Sequence, residues 1–314
     1  MQVIFNEKDD HSLRHPVVLA LGTFDGIHKG HQALIRRLIE LKRRYGYTTM
    51  VYTFKRHPLG CLPPYKAPPQ IMNLNKKILE FHRMGIDILV LNDFNEDFAR
   101  TAPREFIQQH LLEKYDVRFI VVGYNYRFGH NGSGDTQLLM QMGKEMGFKV
   151  VVVPPVKVGG KVVSSSLIRE TIQQGDVAGA WRYLGRPYSI NGRIVRGAGR
   201  GKNLGYPTAN LDIGHKHIVI PRFGVYLTRC NLEGQWFWGV TNVGQNPTFE
   251  QSGLHIESFF LDYRGGELYG KRARLYFLKY IREEKRFPSQ EELIRQMERD
   301  ISVAKNLIYK RCKV

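Results

Sequence analysis

The feature that most constrains the fold of this chain is a glycine-containing turn between an apolar run and an amphipathic stretch. The apolar run covers residues 17–21, the turn covers residues 22–31, and apolar positions recur at helical spacing over residues 32–39. The order strand, turn, helix directs backbone N–H groups and the positive end of a helix dipole to one point, where a phosphate can bind. The turn has neither the glycine pattern of dinucleotide-binding folds nor the ending of a P-loop, so it predicts a different kind of phosphate cradle.

Two histidines occupy the end of this turn. His28 and His31 are three residues apart, so both side chains are expected on one side of the first helical turn. There they could donate hydrogen bonds to an oxyanion, although first-turn histidines are also frequent as surface or capping residues. Three glycines of the turn, Gly22, Gly26 and Gly30, allow the backbone to approach a phosphate closely.

Short apolar runs alternate with amphipathic stretches through about residue 184, a pattern that predicts a parallel sheet with crossover helices. The predicted strands after the first are residues 48–53, 86–91, 119–122 and 148–153, and the predicted helices are residues 76–84, 104–110 and 136–146. Residues 58–69 are rich in proline and predict a surface loop. Because ligands bind beyond the carboxyl ends of strands in open α/β sheets, we expect the loops after these strands to converge on one site.

From residue 185 the pattern changes to short β-like runs separated by glycine, proline and asparagine, which predicts an antiparallel sheet or barrel. These runs are residues 189–195, 224–230, 235–240, 256–261 and 273–278. Ser289 and Glu292 form a predicted capping box before an amphipathic helix that we expect to pack on the barrel. The chain of 314 residues is therefore predicted to have two domains, residues 1–184 and residues 185–314.

The composition limits the classes of protein to which this chain can belong. The net charge of +18 is spread over both halves and indicates either an anionic partner or a generally basic solvated surface. Cys61, Cys230 and Cys312 are far apart and indicate neither a disulfide framework nor a zinc site. The sequence lacks the pattern of a secretory signal and any apolar run of membrane-spanning length, so we expect a cytoplasmic protein.

A glycine-rich segment with interleaved cations opens the second domain. Gly197, Arg200 and Lys202 belong to a predicted flexible loop suited to covering phosphates, although glycine-rich loops often serve only as turns. Thr208 and Asn210 alternate in an extended segment, so their side-chain oxygens face the same way. Such a pair suits a magnesium ion shared with a nucleotide.

Further polar residues are candidates for substrate chemistry. Glu257 lies in an apolar, strand-like run, where a carboxylate would resist ionisation and act as a general base; the alternative is an outward-facing strand position. Ser165 and Ser166 open a predicted helix that contains Arg169, and these serines either cap the helix or bind phosphate. Asn125 lies in the polar loop after the fourth predicted strand.

Taken together, these motifs resemble the family of bacterial bifunctional riboflavin kinases and FAD synthetases, in the family's order and over nearly the whole chain. Residues 22–31 look like its nucleotidyltransferase signature, and residues 164–169 look like its Ser-Ser-Thr-x-Ile-Arg motif, with Ser166 in place of threonine. Residues 205–210 resemble the Pro-Thr-Ala-Asn signature of riboflavin kinases, whereas Ala198 stands where the family often has an acidic residue. The resemblance implies a Rossmann-like nucleotidyltransferase domain, followed by a small antiparallel β-barrel riboflavin kinase domain with a C-terminal helix.

The resemblance implies two successive reactions that depend on ATP and Mg²⁺. In the second domain riboflavin is phosphorylated to FMN, with Glu257 taking the proton of the terminal ribityl hydroxyl. In the first domain the phosphate of FMN attacks the α-phosphorus of a second ATP, which yields FAD and pyrophosphate. Because that phosphate is already ionised, no base is required, and His28, His31 and Arg169 are expected to stabilise charge on the ATP phosphates.

The remaining site residues are also assigned by the resemblance. Mg²⁺ is expected at Thr208 and Asn210, and the flavin of FMN at Asn125. Binding of ATP and its phosphates is expected at Gly22, Phe24, Gly26, Gly30, Ser165, Ser166, Gly197, Arg200 and Lys202.

Two other classes of function fit parts of the sequence. The first signature is shared by enzymes that adenylylate or cytidylylate other phosphorylated substrates, but the kinase signature argues against them. The net charge is also typical of a nucleic-acid-binding or regulatory protein, but no RNA- or DNA-binding module is recognisable. We therefore expect small-molecule substrates as partners and neither nucleic acid nor a membrane; the residues specify no oligomeric state.

Overall fold

The computed structural model describes residues 1–6, 13–61, 67–196, 206–214, 217–245, 253–261, 263 and 265–312. The chain divides into two compact units, Met1–Ser165 and Ser166–Val314. The first unit contains a parallel sheet, and the second contains a closed barrel.

The sheet of the first unit has six strands within the described residues. They are β1 (Gln2–Phe5), β2 (Leu13–Leu21), β3 (Thr48–Phe54), β4 (Ile88–Asn92), β5 (Tyr115–Gly123) and β6 (Lys149–Val153). They lie in the order β1-β4-β3-β2-β5-β6 with parallel neighbours, which confirms the predicted parallel sheet. The edge strand β1 is an addition that the sequence analysis did not predict.

Helices pack on both faces of this sheet. They are α1 (Lys29–Tyr45), α2 (Leu74–Arg83), α3 (Glu96–Arg100), α4 (Pro103–Glu105, continued by the π-helical residues Phe106–Leu112) and α5 (Thr136–Met146); a short hairpin of β7 (Lys157–Val158) and β8 (Lys161–Val162) follows. On β2, Leu19 packs with Phe106 on one face, whereas Ala20 packs with Leu38 of α1 on the other. Successive strand side chains point to opposite faces, so a sheet covered on both sides needs a continuous apolar run such as residues 17–21.

The second unit closes its strands into an antiparallel barrel. It follows helices α6 (Ser165–Gln173) and α7 (Val177–Leu184), and its strands are β9 (Tyr188–Val195), β10 (Thr208–Asp212), β11 (Gly224–Leu232), β12 (Gln235–Gln245), β13 (Leu254–Phe260) and β14 (Arg272–Arg282). Their order around the barrel is β10-β13-β12-β11-β14-β9. The prediction of an antiparallel barrel is confirmed.

The barrel interior is marked by a short chain of buried hydroxyl groups. Thr228 on β11 and Thr241 on β12 are joined by 2.7 Å between their Oγ1 atoms, and Thr241 reaches the Oγ of Ser258 on β13 at 2.8 Å. All three residues are buried. Because strand side chains alternate between faces, the neighbours of Ser258 on β13 lie on the outer face of the barrel.

The terminal helix α8 (Gln290–Cys312) packs on the outside of the barrel, as predicted. Its first turn is capped by the Ser289 hydroxyl, which accepts a hydrogen bond from the Glu292 backbone N–H at 3.2 Å. Further along, the buried carboxylate of Asp300 accepts three bonds of 2.7–3.0 Å from the guanidinium of Arg282 on β14. A charge-assisted pair that excludes water in this way holds α8 to one place on the barrel.

The boundary between the two compact units lies earlier in the chain than the domain boundary that the sequence predicts. Helix α7 packs on β9 and β14 and therefore belongs to the second unit, although it lies before residue 185. The division into residues 1–184 and 185–314 stays a proposal.

Candidate active sites

The phosphate cradle (residues 22–31) follows β2 as a turn with unusual backbone. Phe24, Gly26 and Ile27 have φ values of 51°, 81° and 37°, in the left-handed region that favours glycine. A Cβ at Gly26 would also lie 3.1 Å from the side chain of Ile71. Residues persist in such conformations when the surroundings hold them there, and strained backbone of this kind is concentrated at functional sites.

Buried aromatic packing holds the cradle in this shape. The Phe24 ring is fully buried and contacts Phe81 of α2 edge to face at 5.4 Å between centroids. A Cβ at Gly22 would approach the Phe24 ring to 3.2 Å, so the small residue there lets the ring pack against the backbone.

His28 and His31 lie side by side at the N-terminus of α1, as their spacing predicts. His28 is the N-cap residue, and its Nδ1 accepts a hydrogen bond from the His31 backbone N–H at 3.3 Å. The two rings stack with 3.7 Å between centroids, and a Cβ at Gly30 would lie 3.0 Å from the His28 ring. Since Nδ1 of His28 accepts, its Nε2 carries the hydrogen and is a donor.

Sequence reasoning missed two charged side chains here, one within the cradle and one that contacts it from α2. The buried carboxylate of Asp25 accepts hydrogen bonds from the backbone N–H groups of Ile71 at 3.0 Å and Met72 at 3.4 Å. Lys77 of α2 donates from Nζ to the carbonyl oxygen of Thr23 at 2.9 Å. Burial lowers the pKa of Lys77 to about 8, and the nearby Asp25 charge partly opposes that shift. A lysine in an amphipathic helix gives no sequence signal of such burial.

The start of α6 reaches the cradle within the first unit. The Ser165 hydroxyl donates to the carbonyl oxygen of Asp25 at 2.9 Å, although the two residues are 140 positions apart. Ser166 and Arg169 continue the same helix but belong to the second unit, so their roles at the cradle stay predictions.

Two other loops leave the sheet at the same edge as the cradle. Residues 55–57 follow β3 and line a small cleft of about 20 Å³ together with Thr23, Asp25 and Lys77. Asn125 is exposed in the turn after β5, the other neighbour of β2, and this turn is closed by a bond of 3.0 Å from Tyr126 N–H to Gly123 O. The expected convergence of loops is therefore observed for those that follow β2 and β3.

The barrel site consists of Thr208 and Asn210 on β10 and Glu257 on β13. Asn210 pairs directly with Glu257 across the two strands, and the Thr208 hydroxyl donates to Glu257 Oε1. Glu257 is half-buried on the outer face of the barrel, between the inward-facing Ile256 and Ser258. The carboxylate is thus held by polar partners on that face, so Glu257 occupies the outward-facing strand position, which is one of the two alternatives that the sequence left open.

The barrel site continues onto β12 through a group of three polar side chains, Asn242, His255 and Glu284. Asn242 is the partner of Glu257 on β12, and its Nδ2 lies 3.0 Å from His255 Nε2 and 3.2 Å from Glu284 Oε1. A Cβ at Gly244 would lie 2.0 Å from Glu284 Oε1, so the glycine makes room for this carboxylate. The sequence signal for His255 is its two-residue spacing from Glu257, which puts both on one strand face.

An open groove adjoins the barrel site on its other side. Thr208 pairs with Phe259 on β13, and the groove starts there. Its volume is about 570 Å³, and it is lined by Tyr206, Phe259 and Leu261 of the barrel and by Glu298, Ile301, Ser302, Lys305 and Asn306 of α8. Two aromatic rings on one wall make this groove suitable for a flat aromatic ligand.

Several residues expected at the sites lie outside the described residues. They are Gly197, Arg200 and Lys202 of the glycine-rich segment. Their roles stay predictions from the sequence.

Comparison with known proteins finds two families in this chain. The FAD synthetase family matches residues 10–167, and the riboflavin kinase family matches residues 184–308. The chain is 35% identical to the bifunctional riboflavin kinase/FMN adenylyltransferase of Bacillus subtilis over 90% of each chain, and 34% identical to the protein of the same description from Escherichia coli K12, also over 90% of each.

A solved structure is similar over nearly the entire chain. It is described as the macrolide-efflux protein of Streptococcus pneumoniae and matches with a TM-score of 0.89 at 31% identity, covering 98% of this chain and 99% of that one. In the described parts of this chain, no helix combines the length and the apolar character that crossing a bilayer requires.

Proposed function

Because the chain belongs to the family of bifunctional riboflavin kinases and FMN adenylyltransferases, we propose how its own residues divide the two reactions. The protein phosphorylates riboflavin to FMN with ATP and then adenylylates FMN to FAD. We assign the first reaction to the barrel site and the second to the cradle. The contact between Thr208 and Glu257 supports the first assignment most directly, since it joins the proposed base to the proposed metal residues.

In the barrel site, Glu257 takes the proton of the terminal ribityl hydroxyl, whose oxygen forms a bond to the γ-phosphorus of ATP as ADP leaves. The hydroxyl of Thr208 and the amide oxygen of Asn210 are hard oxygen donors beside a carboxylate, a set that fits Mg²⁺. When bound there, Mg²⁺ neutralises phosphate charge. Positioning and charge stabilisation provide most of the catalysis in such phosphoryl transfers.

The groove beside Thr208 is proposed to bind the isoalloxazine ring of riboflavin. Tyr206 and Phe259 offer aromatic faces there, and their rings lie 5.5 Å apart in an edge-to-face arrangement. A ring in this groove would direct its ribityl chain along the strands toward Glu257. Gly197, Arg200 and Lys202 are proposed to cover the ATP phosphates, as the family resemblance implies.

In the cradle, the phosphate of FMN attacks the α-phosphorus of ATP, and pyrophosphate leaves. The backbone N–H groups at the start of α1 and the donors of His28 and His31 face the developing charge. Ser165, Ser166 and Arg169 are proposed to bind the same phosphates, and Asn125 is proposed to position the flavin. The use of ATP in both reactions supports a cytoplasmic location.

Two assays of the same preparation test this division. One supplies riboflavin and ATP, the other supplies FMN and ATP, each with and without a chelator of Mg²⁺, and flavins are separated by chromatography. We expect FMN and then FAD in the first assay, FAD in the second, and neither product with the chelator. Retention of either activity in the chelator would contradict the proposed metal requirement of that reaction.

A further inference from the structure

Lys77 is a buried lysine that bonds backbone carbonyl groups at and beside the cradle. Its Nζ donates to the carbonyl oxygen of Thr23 at 2.9 Å and reaches that of Phe54 at 3.4 Å. The Thr23 oxygen also accepts a bond of 3.2 Å from the hydroxyl of Thr53. Lys77 therefore joins the end of β3 to the first residues of the cradle.

Burial makes this arrangement costly for folding. Only 8% of Lys77 is exposed, and burial lowers its pKa because the charged ammonium loses its hydration. The nearby carboxylate of Asp25 recovers part of that loss, but it is itself held by the backbone N–H groups of Ile71 and Met72. A methionine of similar length would fill the same space without burying a charge, so packing does not explain a lysine at this position.

The position of Lys77 beside the cradle explains, better than packing does, why a lysine is found there. The residue directly after Thr23 is the first of three with left-handed backbone, and these residues direct the N-terminus of α1. An anchor on the Thr23 carbonyl restrains that backbone immediately before the strained turn. Lys77 also lines the cleft between the cradle and residues 55–57.

We propose that Lys77 is a positioning residue for adenylyl transfer, which holds the cradle in its phosphate-binding shape by anchoring Thr23. This inference rests on the proposed role of the cradle in that reaction. Lys77 does not touch the reacting atoms; it acts through the backbone of residues 23–27.

The charge of Lys77 makes the effect depend on pH. The groups that face it are Asp25 from the cradle and Lys55, Arg56 and His57 from the segment after β3. Its pKa is about 8, so the ammonium is present below that pH and is lost above it. The neutral amine has one donor fewer and no charge, so kcat/KM for FMN adenylylation should fall as the pH rises through about 8.

The test compares Lys77→Met with Lys42→Met in the full chain. Lys42 of α1 bonds Asp87 near the start of β4, at the opposite edge of the sheet from the cradle, at 2.6 and 2.7 Å. For Lys77→Met we expect kcat/KM for FMN adenylylation to fall by about 10- to 100-fold, the loss typical of a small misplacement of catalytic groups. Its melting temperature at pH 7 should be unchanged or higher, its decline of activity above pH 8 should be absent, and its phosphorylation of riboflavin should be unchanged. Lys42→Met should retain both activities.

Three results would overturn the proposal. One is adenylylation by Lys77→Met within twofold of the parent, and another is a lower melting temperature together with the loss of activity, which would make Lys77 a structural residue. The third is a parent pH profile that stays level between pH 7 and pH 10, a measurement that needs no variant. The variant His31→Ala distinguishes failure of the Lys77 proposal from failure of the proposed role of the cradle. If His31→Ala adenylylates FMN at the parental rate, the cradle itself has been assigned the wrong role.

Discussion

The cradle and the barrel site are both proposed to serve ATP phosphates, yet they are built in opposite ways. The cradle takes its groups from ten consecutive residues and shapes them with left-handed backbone at Phe24, Gly26 and Ile27. The barrel site takes its groups from side chains on regular strands, where Thr208 and Glu257 meet although they are 49 residues apart. The geometry of the cradle depends on the side chains that pack around its turn. The geometry of the barrel site depends on the register between β10 and β13.

This difference has a consequence for substitution. In the first unit, Phe24 inside the cradle and the buried Lys77 that contacts it are proposed to decide where the backbone N–H groups of the cradle point. On the barrel, a shift of one residue in the pairing of β10 with β13 would turn Glu257 into the interior. Substitutions in the two regions should therefore separate the two activities cleanly.

Glu257→Gln should have the largest effect. It removes the proposed base while keeping the size of the side chain and an acceptor for Thr208, so we expect riboflavin phosphorylation to fall by roughly 10²- to 10⁴-fold. Adenylylation of supplied FMN should be unchanged, and the exposed Glu267→Gln should leave both reactions at the parental rate. Parental phosphorylation by Glu257→Gln would remove the residue from its role. The measurement is the initial rate of FMN formation.

Arg282→Met should cause the next largest change, now in stability. It leaves the buried carboxylate of Asp300 without its guanidinium, and such a loss costs about 3–5 kcal/mol of unfolding free energy. The groove that α8 lines should be disturbed, so kinase activity should fall while adenylylation continues. Denaturant unfolding measures the loss, and Glu283→Gln, which breaks an exposed ion pair of the same unit, should cost less than about 1 kcal/mol. An equal effect of the two variants would contradict this account.

His31→Ala should lower adenylylation by about 10²- to 10³-fold, the effect of removing one donor to developing charge. Riboflavin phosphorylation should persist, so FMN should accumulate when riboflavin is supplied. The exposed histidine of α2 provides the control, as His82→Ala should retain both activities. Formation of FAD at the parental rate would show that His31 is only a helix-terminal residue.

Glu284→Gln should have the smallest effect and tests how far the barrel site extends. It removes the charge that faces Asn242 and His255, and the loss of one charge-assisted hydrogen bond predicts a decrease of about tenfold in riboflavin phosphorylation. Adenylylation should not change, and Glu283→Gln is the matched control one residue away. If the two variants phosphorylate riboflavin equally well, the site ends at Glu257.

The regions differ also in how well they could be predicted. The cradle is visible in the sequence because a strand, a turn and a helix follow one another within about 25 residues, and each has a local signature. The same holds for the cap of α8 at Ser289. The environment of Glu257 could not be predicted, since its position in an apolar run fits either face of a strand until the register is known.

By itself, the sequence determined the order of a parallel α/β region and a β-barrel, the strand–turn–helix segment that is proposed to bind phosphate, and the family to which the chain belongs. Only the tertiary structure decided that Glu257 lies on the outer face beside Thr208, and that Lys77 contacts the cradle from α2. Turn chemistry and periodicity act over a few neighbouring residues and can be recognised in the sequence. Burial and strand register arise from contacts between distant segments, so they exist only once the chain has folded.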